Sequence, residues 1–242
     1  MAARAGSGPA PSREDLANML SLIGQYDSPF VRRVAVSLTV LEIPFERQPL
    51  SVFQDVAALS ALNPLGRVPT LLIEEGECLI DSAAILDYLD ERVGQARALL
   101  PAVGAARRDA LKTIALATGV CDKAVATLYE QRRPASKIEQ DWIGRYRRQL
   151  AGALGELDRR SAVQTRAVDK LLQPVISLAV MLGFVRLYLA DVAPAGQYPA
   201  LDRLAAWAEA QPALGACRPS VAELGGPPEE ARAALLRLQG GA

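Results

Sequence analysis

The sequence predicts a small α/β domain followed by an all-α domain. From Met19 to about Gly94, short apolar runs alternate with helical periods in the order βαβαββα, and after Gly94 the strand signals almost vanish. Half of the 242 residues are hydrophobic and 22% are charged, enough apolar material for a core in each part. The expected division is a flexible tail over 1–18, an α/β domain over 19–94, a linker over 95–102 and a helical domain over 103–242.

Residues 1–18 are rich in Ala, Gly, Ser and Pro and have no period, which reads as a tail. Met19–Ile23 is a short apolar run that fits a buried strand. Val31, Val34, Ala35, Leu38 and Leu41 keep the i, i+3, i+4, i+7 spacing of a helix that starts near Ser28. Phe45–Gln48 reads as a second strand. A shorter helix is expected over Asp55–Leu62, ended by the turn Asn63-Pro64-Leu65-Gly66. Thr70–Ile73 and Cys78–Ile80 flank Glu74-Glu75-Gly76-Glu77, a hairpin signal, and a helix follows from Ser82 to Arg92.

In the second part, Leu111, Ile114, Thr118, Cys121, Val125 and Leu128 line one face of a long helix that stops before Pro134. Ser136 with Glu139 has the spacing of a capping box, and Ile138, Trp142, Tyr146, Leu150, Ala153 and Leu157 continue as an amphipathic helix. Pro174 at a helix start introduces Val175–Leu189, expected at the centre of a bundle. Leu201, Leu204 and Trp207 mark a helix closed by Pro212. Glu229–Gln239 reads as a last, surface helix.

Composition excludes several chemistries. There is no histidine, so no Ser-His-Asp or Cys-His nucleophile system, no imidazole base and no His metal site is encoded. Cys78, Cys121 and Cys217 are far apart and form no CxxC, which leaves neither a zinc knuckle nor a CxxC redox motif. Twenty-seven basic residues balance twenty-seven acidic ones, so no chain-wide attraction to nucleic acid or anionic lipid is expected. The longest uncharged stretch, Leu171 to Val185, falls short of the about 20 residues of a membrane span. Sparse, odd cysteines and no signal-peptide pattern point to the cytoplasm.

Three clusters fall where the βαβαββα order gathers loops and helix N-termini at one sheet end: Tyr26-Asp27-Ser28-Pro29-Phe30, Arg67-Val68-Pro69-Thr70 and Asp81-Ser82. With Ser28–Val34, Asn63–Leu71, Ile80–Leu86 and Tyr198-Pro-Ala-Leu…Trp207 in this order and spacing, the sequence resembles the glutathione S-transferases, and among them the bacterial, serine-type members. The resemblance runs through nearly everything after Met19. It implies a thioredoxin-like domain followed by a helical bundle, a cytoplasmic homodimer, and glutathione as co-substrate in detoxification, with no metal or redox cofactor.

Glutathione's thiol is a poor nucleophile while protonated, and a free thiol has a pKa of roughly 8.5. Without a histidine, Ser28 would donate its O–H to the sulfur while the positive end of the first helix favours the anion. The same Ser-Pro pair suits an N-cap followed by Pro at the first helical position, and one serine can serve both roles. The resemblance gives a cis Val68–Pro69 peptide that turns the N–H and C=O of Val68 towards the cysteinyl residue. It gives Asp81 and Ser82 to the γ-glutamyl end, though a capping pair is the plainer reading and the family more often has Glu at Asp81. The glutathione-binding set is thus Ser28, Phe30, Arg67, Val68, Pro69, Asp81 and Ser82.

Tyr26 is the rival hydroxyl, and its place two residues before Ser28 suits packing beside the site. Tyr26, Tyr129, Arg132 and Arg133 are candidates for the electrophile pocket, although a solvated helix end accounts for the last three equally well. No cysteine stands at the Ser28 position, which disfavours the cysteine-dependent branch. The family's Ser-x-x-Asp box at the central helix is replaced by Leu172 and Val175. The competing function is a non-catalytic interaction or regulatory protein built on the same scaffold. The electrophile itself is not legible.

Overall fold

The computed structural model describes residues 19–163, 169–224 and 228–238; the expected tail over 1–18 and Gln239 lie outside the described residues. Strand β1 (Leu20–Ile23) is buried at every position, as befits a central strand; its one polar side chain, Ser21, accepts from Gln48 Nε2 at 2.8 Å. Helix α1 (Pro29–Val40) follows, then β2 (Phe45–Gln48), α2 (Val56–Leu62), β3 (Thr70–Leu72), β4 (Cys78–Ile80) and α3 (Ser82–Val93). The sheet order is β2-β1-β3-β4, with β1 parallel to β2, antiparallel to β3, and β3 antiparallel to β4. A 3₁₀ turn at Glu74–Gly76 closes the expected hairpin.

The helical part comprises α4 (Gly104–Gln131), α5 (Gln140–Val163), α6 (Gln173–Tyr188), α7 (Pro199–Glu209), α8 (Pro212–Ala216), α9 (Val221–Leu224) and α10 (Pro228–Leu238). Every residue of α6 from Val175 to Val185 is buried, and the helix touches α1, α4, α7 and α10, so the apolar run sits at the bundle centre. Helix α1 lies between the two parts. It packs on β1 and α3 on one side and on α6 and α8 on the other, and is buried continuously from Val31 to Leu38. Among the described residues no helix is long and apolar enough to cross a membrane.

Four local expectations are corrected. Leu111 is 42% exposed, and α4 instead buries Ala110, Thr113, Ile114, Ala117, Val120, Cys121, Ala124 and Thr127, where small side chains let the flanking helices approach closely. The Ser136–Glu139 box does not form. Ser136 lies in a 3₁₀ turn, extended Ile138 separates it from α5, and the Glu139 N–H donates to Glu130 Oε1 at 2.9 Å. Trp142 is 52% exposed, with Ile143, Leu150, Leu154 and Leu157 facing inward. Pro212 does not merely close α7 but opens α8.

Helix α6 has no side-chain cap at Leu172. Its first residue replaces one: the Gln173 N–H donates to the Leu99 carbonyl at 3.1 Å, and its side-chain oxygen accepts from Ser37 Oγ at 3.0 Å. The helix start is thereby tied both to the segment joining the two parts and to α1.

Candidate functional site

Sheet polarity brings four loops together. The C-terminal ends of β1, β2 and β4 and the N-terminal end of β3 lie at the same edge, because β1, β2 and β4 run one way and β3 the other. This end therefore carries Tyr26–Ser28, the loop around Phe53, Arg67–Pro69 and Asp81–Ser82. The sequence reading had three of these; the loop after β2 was missed.

Ser28 is the N-cap of α1 and is half-buried; its Oγ accepts from the Val31 N–H at 3.4 Å. Accepting uses a lone pair and leaves the hydroxyl proton free to be donated. The first turn of α1 contains no acidic side chain; the carboxyl nearest this helix end in sequence is that of Asp27, which accepts from the Ser28 N–H. The two residues before Ser28 are held from the helical part. The Tyr188 hydroxyl donates to Asp27 Oδ2 at 2.7 Å, and the Tyr26 N–H donates to Glu223 Oε1 at 2.7 Å. Glu223 also accepts from Ser220 N–H at 2.8 Å and from the Arg47 guanidinium, which lies 3.5 Å from the centre of the Tyr26 ring. Burial, together with the neighbouring Cys217 thiol, pushes the Tyr26 phenol up to about 12, so Tyr26 is neutral across the physiological range. Burial also raises the Asp27 carboxyl.

The loop before β3 is organised by Asn63, 1% exposed. Its Nδ2 donates to the Arg67 carbonyl at 2.9 Å while its Oδ1 accepts from Leu65 N–H at 3.0 Å. The Val68–Pro69 peptide is cis; Pro69 is buried, Val68 half-buried and Arg67 exposed. At the start of α3, Asp81 has a φ of 70° and its Oδ1 caps Ala83 N–H at 2.7 Å, with Ser82 buried beneath. The capping role of Asp81 is thus real and occupies one of its two oxygens. Phe30 is half-buried in the first turn of α1.

Behind this edge lies Arg33, 3% exposed, whose Nε and Nη1 meet no hydrogen-bond acceptor among the described residues. Desolvation pulls its guanidinium down to about 10, leaving it a cation at neutral pH, within reach of the fields of Cys121 and Asp81. The sequence offered no signal for Arg33, Asn63 or Glu223 beyond charge or turn type.

Of the four pocket candidates, two come together. Tyr129 and Arg132 meet Phe53, with the Phe53 and Tyr129 ring centroids 5.8 Å apart and the Arg132 guanidinium 5.0 Å from the Phe53 centroid. Tyr26 is buried beneath Arg47, and Arg133 pairs with Glu130 at 2.8 Å.

Gly24 is the pivot of the arrangement. Its φ is +129°, and a Cβ there would lie 2.5 Å from Val31 Cγ2 and 2.9 Å from Val68 Cβ. Strand end, helix α1 and the cis-peptide loop approach each other over a bare backbone. Gly24→Ala is expected to lose at least about 2 kcal/mol through strain and overpacking, read as a lowered urea midpoint. An unchanged midpoint would show that the three elements are not held against one another.

Comparison with known proteins gives a concordant result. A family model described as the glutathione S-transferase N-terminal domain matches residues 22–97. The chain is 33% identical over 172 residues to the uncharacterized GST-like protein YibF of Escherichia coli (strain K12), covering 69% of this chain and 82% of that protein. It is 33% identical over 149 residues to maleylacetoacetate isomerase of Pseudomonas aeruginosa, covering 57% of this chain and 69% of that one. The crystal structure of a glutathione S-transferase from Methylobacillus flagellatus KT with glutathione bound superposes with a TM-score of 0.77 at 27% identity, over 83% of this chain and 100% of that one.

Proposed function

The chain belongs to the glutathione S-transferase family, and from that premise we propose that it binds glutathione at the sheet edge and holds its sulfur as a thiolate for attack on a hydrophobic electrophile. The observation that carries this reading is a hydroxyl at the N-cap of a helix whose first turn bears no acidic side chain. Ser28 donates to the sulfur, and the helix end favours the anion. Phe30 borders the cysteinyl residue, whose backbone pairs with the N–H and C=O of Val68, oriented by Pro69. Ser82 and the N-terminus of α3 take the γ-glutamyl carboxylate, the second oxygen of Asp81 takes the ammonium, and Arg67 approaches the glycyl carboxylate.

The step is a simple displacement or addition. A sulfur lone pair forms the C–S bond, and the displaced electron pair leaves with the departing group or takes a proton from water. Glutathione supplies the reacting atom, and this chemistry asks for no metal or redox group. The setting that the reading implies is a cytoplasmic homodimer acting in detoxification.

The test is an ultraviolet thiolate titration of glutathione bound to the protein. A charge-assisted hydrogen bond plus the helix end is expected to lower the bound thiol from roughly 8.5 to about 6.5. Because the anion is the stabilised form, turnover should rise with pH only up to about 7.5 and then level. Bound glutathione that titrates at its solution value would favour the non-catalytic reading.

A further inference from the structure

We infer that the β2 side of this loop end selects an aromatic electrophile bearing an acidic group, its ring packed against Phe53 and Tyr129 and its anion held by Arg132. This inference rests on the reading of Ser28 as the thiol site and adds the class of the second substrate. Phe53 and Tyr129 are 58% and 50% exposed, although aromatic side chains of this size usually find cover. Their exposure is enforced. The loop carrying Phe53 is closed by Ser51 N–H donating to Asp55 Oδ2 at 2.8 Å, Asp55 N–H to Ser51 O at 2.9 Å, and Phe53 N–H to Ser51 Oγ at 3.3 Å. Tyr129 is fixed on the last turn of α4.

The charge is available as well. Glu130, the nearest acid in sequence, is committed to Arg133 and to Glu139 N–H. Arg132 makes no ion pair among the described residues and instead lies over Phe53. A cation stacked on one ring, beside a second ring, suits a planar ligand that carries its own negative charge.

Position supports the assignment. Helix α4 passes Arg67 and Asp81 at Asp122, whose carboxyl feels both charges, and ten residues further on it reaches Arg132, about 15 Å along the axis. Across the sheet, the loop after β2 lies three strands from the start of α3, about 14 Å. Ser28, at the end of β1, falls between these extremes. Arg132 is also close enough for its charge to act on the Tyr188 hydroxyl, which holds Asp27 beside Ser28. A ring on this shelf therefore sits on the β2 side of the sulfur, away from Asp81 and Ser82.

The experiment is calorimetric binding of three probes: glutathione, S-(2-nitrophenyl)glutathione and S-(4-carboxy-2-nitrophenyl)glutathione. The two conjugates differ by one carboxylate. The wild-type protein is expected to bind the carboxylated conjugate about tenfold more tightly than the plain one, and Arg132→Gln should bring that ratio close to one. Phe53→Leu should weaken both conjugates about fivefold relative to glutathione. A wild-type ratio near one, or a ratio that survives Arg132→Gln, overturns the inference. So does an Arg132→Gln protein that loses glutathione itself by the same factor, since the cation would then serve the glycyl carboxylate. Failure of the wild-type protein to bind glutathione overturns the underlying thiol-site reading instead, and the substrate class falls with it.

Discussion

Replacing Glu209 with leucine is expected to cost about 3–5 kcal/mol of stability, because it leaves the buried Arg32 cation without its counter-charge. The pair is bidentate: Arg32 Nη1 and Nη2 each donate to a Glu209 oxygen at 2.8 Å. Arg32 is 3% exposed and the Glu209 side chain 9%, so water cannot take over the lost contacts. The remaining donors of Arg32 reach the Cys217 carbonyl at 3.0 Å and the Leu214 carbonyl at 3.3 Å, interactions that orient the guanidinium but do not neutralise it. Denaturant unfolding should show a lower midpoint at unchanged slope. Arg32→Met alone should also be destabilising, though less so, because the buried carboxylate keeps only Arg218, whose Nε lies 3.9 Å from Glu209 Oε2. The double variant removes both charges and should be less destabilised than either single one. Additive losses would show that the two groups do not act as a pair. The consequence reaches the site, for the Arg32 N–H bonds the Ser28 carbonyl at 2.9 Å, and this anchor therefore sits one turn beyond the candidate thiol donor.

That anchor explains much of what the sequence could and could not convey. The strands and α1 were legible because each is a short segment with its own period, bounded by turn residues, and the central helix because its apolar run has no polar face. Face assignment failed where small residues do the packing. Ala110, Ala117 and Ala124 recur every seven positions on α4, but a reading weighted towards large aliphatic side chains placed Leu111 inside instead. Polar tethers were not legible at all. Tyr26 and Glu223 are 197 positions apart and Arg32 and Glu209 are 177 apart, and nothing periodic links either pair. The local conformation at two of the motif clusters was legible because a Ser-Pro helix start and an Asp-Ser cap specify it from neighbouring residues alone, whereas the cis Val68–Pro69 peptide was an expectation of the family resemblance. The residues that hold those motifs in place come from the far end of the chain.

Ser28→Ala is expected to lower kcat/KM by about 10²-fold, the scale on which removal of one preorganised donor to a reacting anion acts. On the proposed reading the effect should be in the chemistry rather than in glutathione affinity, since the hydroxyl would donate to the thiolate and contribute little to holding the peptide. Bound thiol should then titrate closer to roughly 8.5, so that the rate of the variant still climbs at a pH where the wild-type rate has levelled. Loss of the cap alone costs about 0.5–2 kcal/mol of helix-end stability, and Ser28→Gly separates the two effects because glycine forfeits only a few tenths of a kcal/mol at an N-cap. Both variants should lose the low thiol pKa, whereas only Ala should lose appreciable stability. Tyr26→Phe supplies the contrast. Its phenol is buried, raised to about 12 and covered by Arg47, so it is neither ionised at neutral pH nor exposed to solvent. Removing that hydroxyl should alter kcat by less than about threefold and leave the pH profile in place. If the tyrosine change abolished activity while both Ser28 variants retained it, the sulfur would have to lie on the other side of the β1–α1 loop, and the helix end would no longer face it.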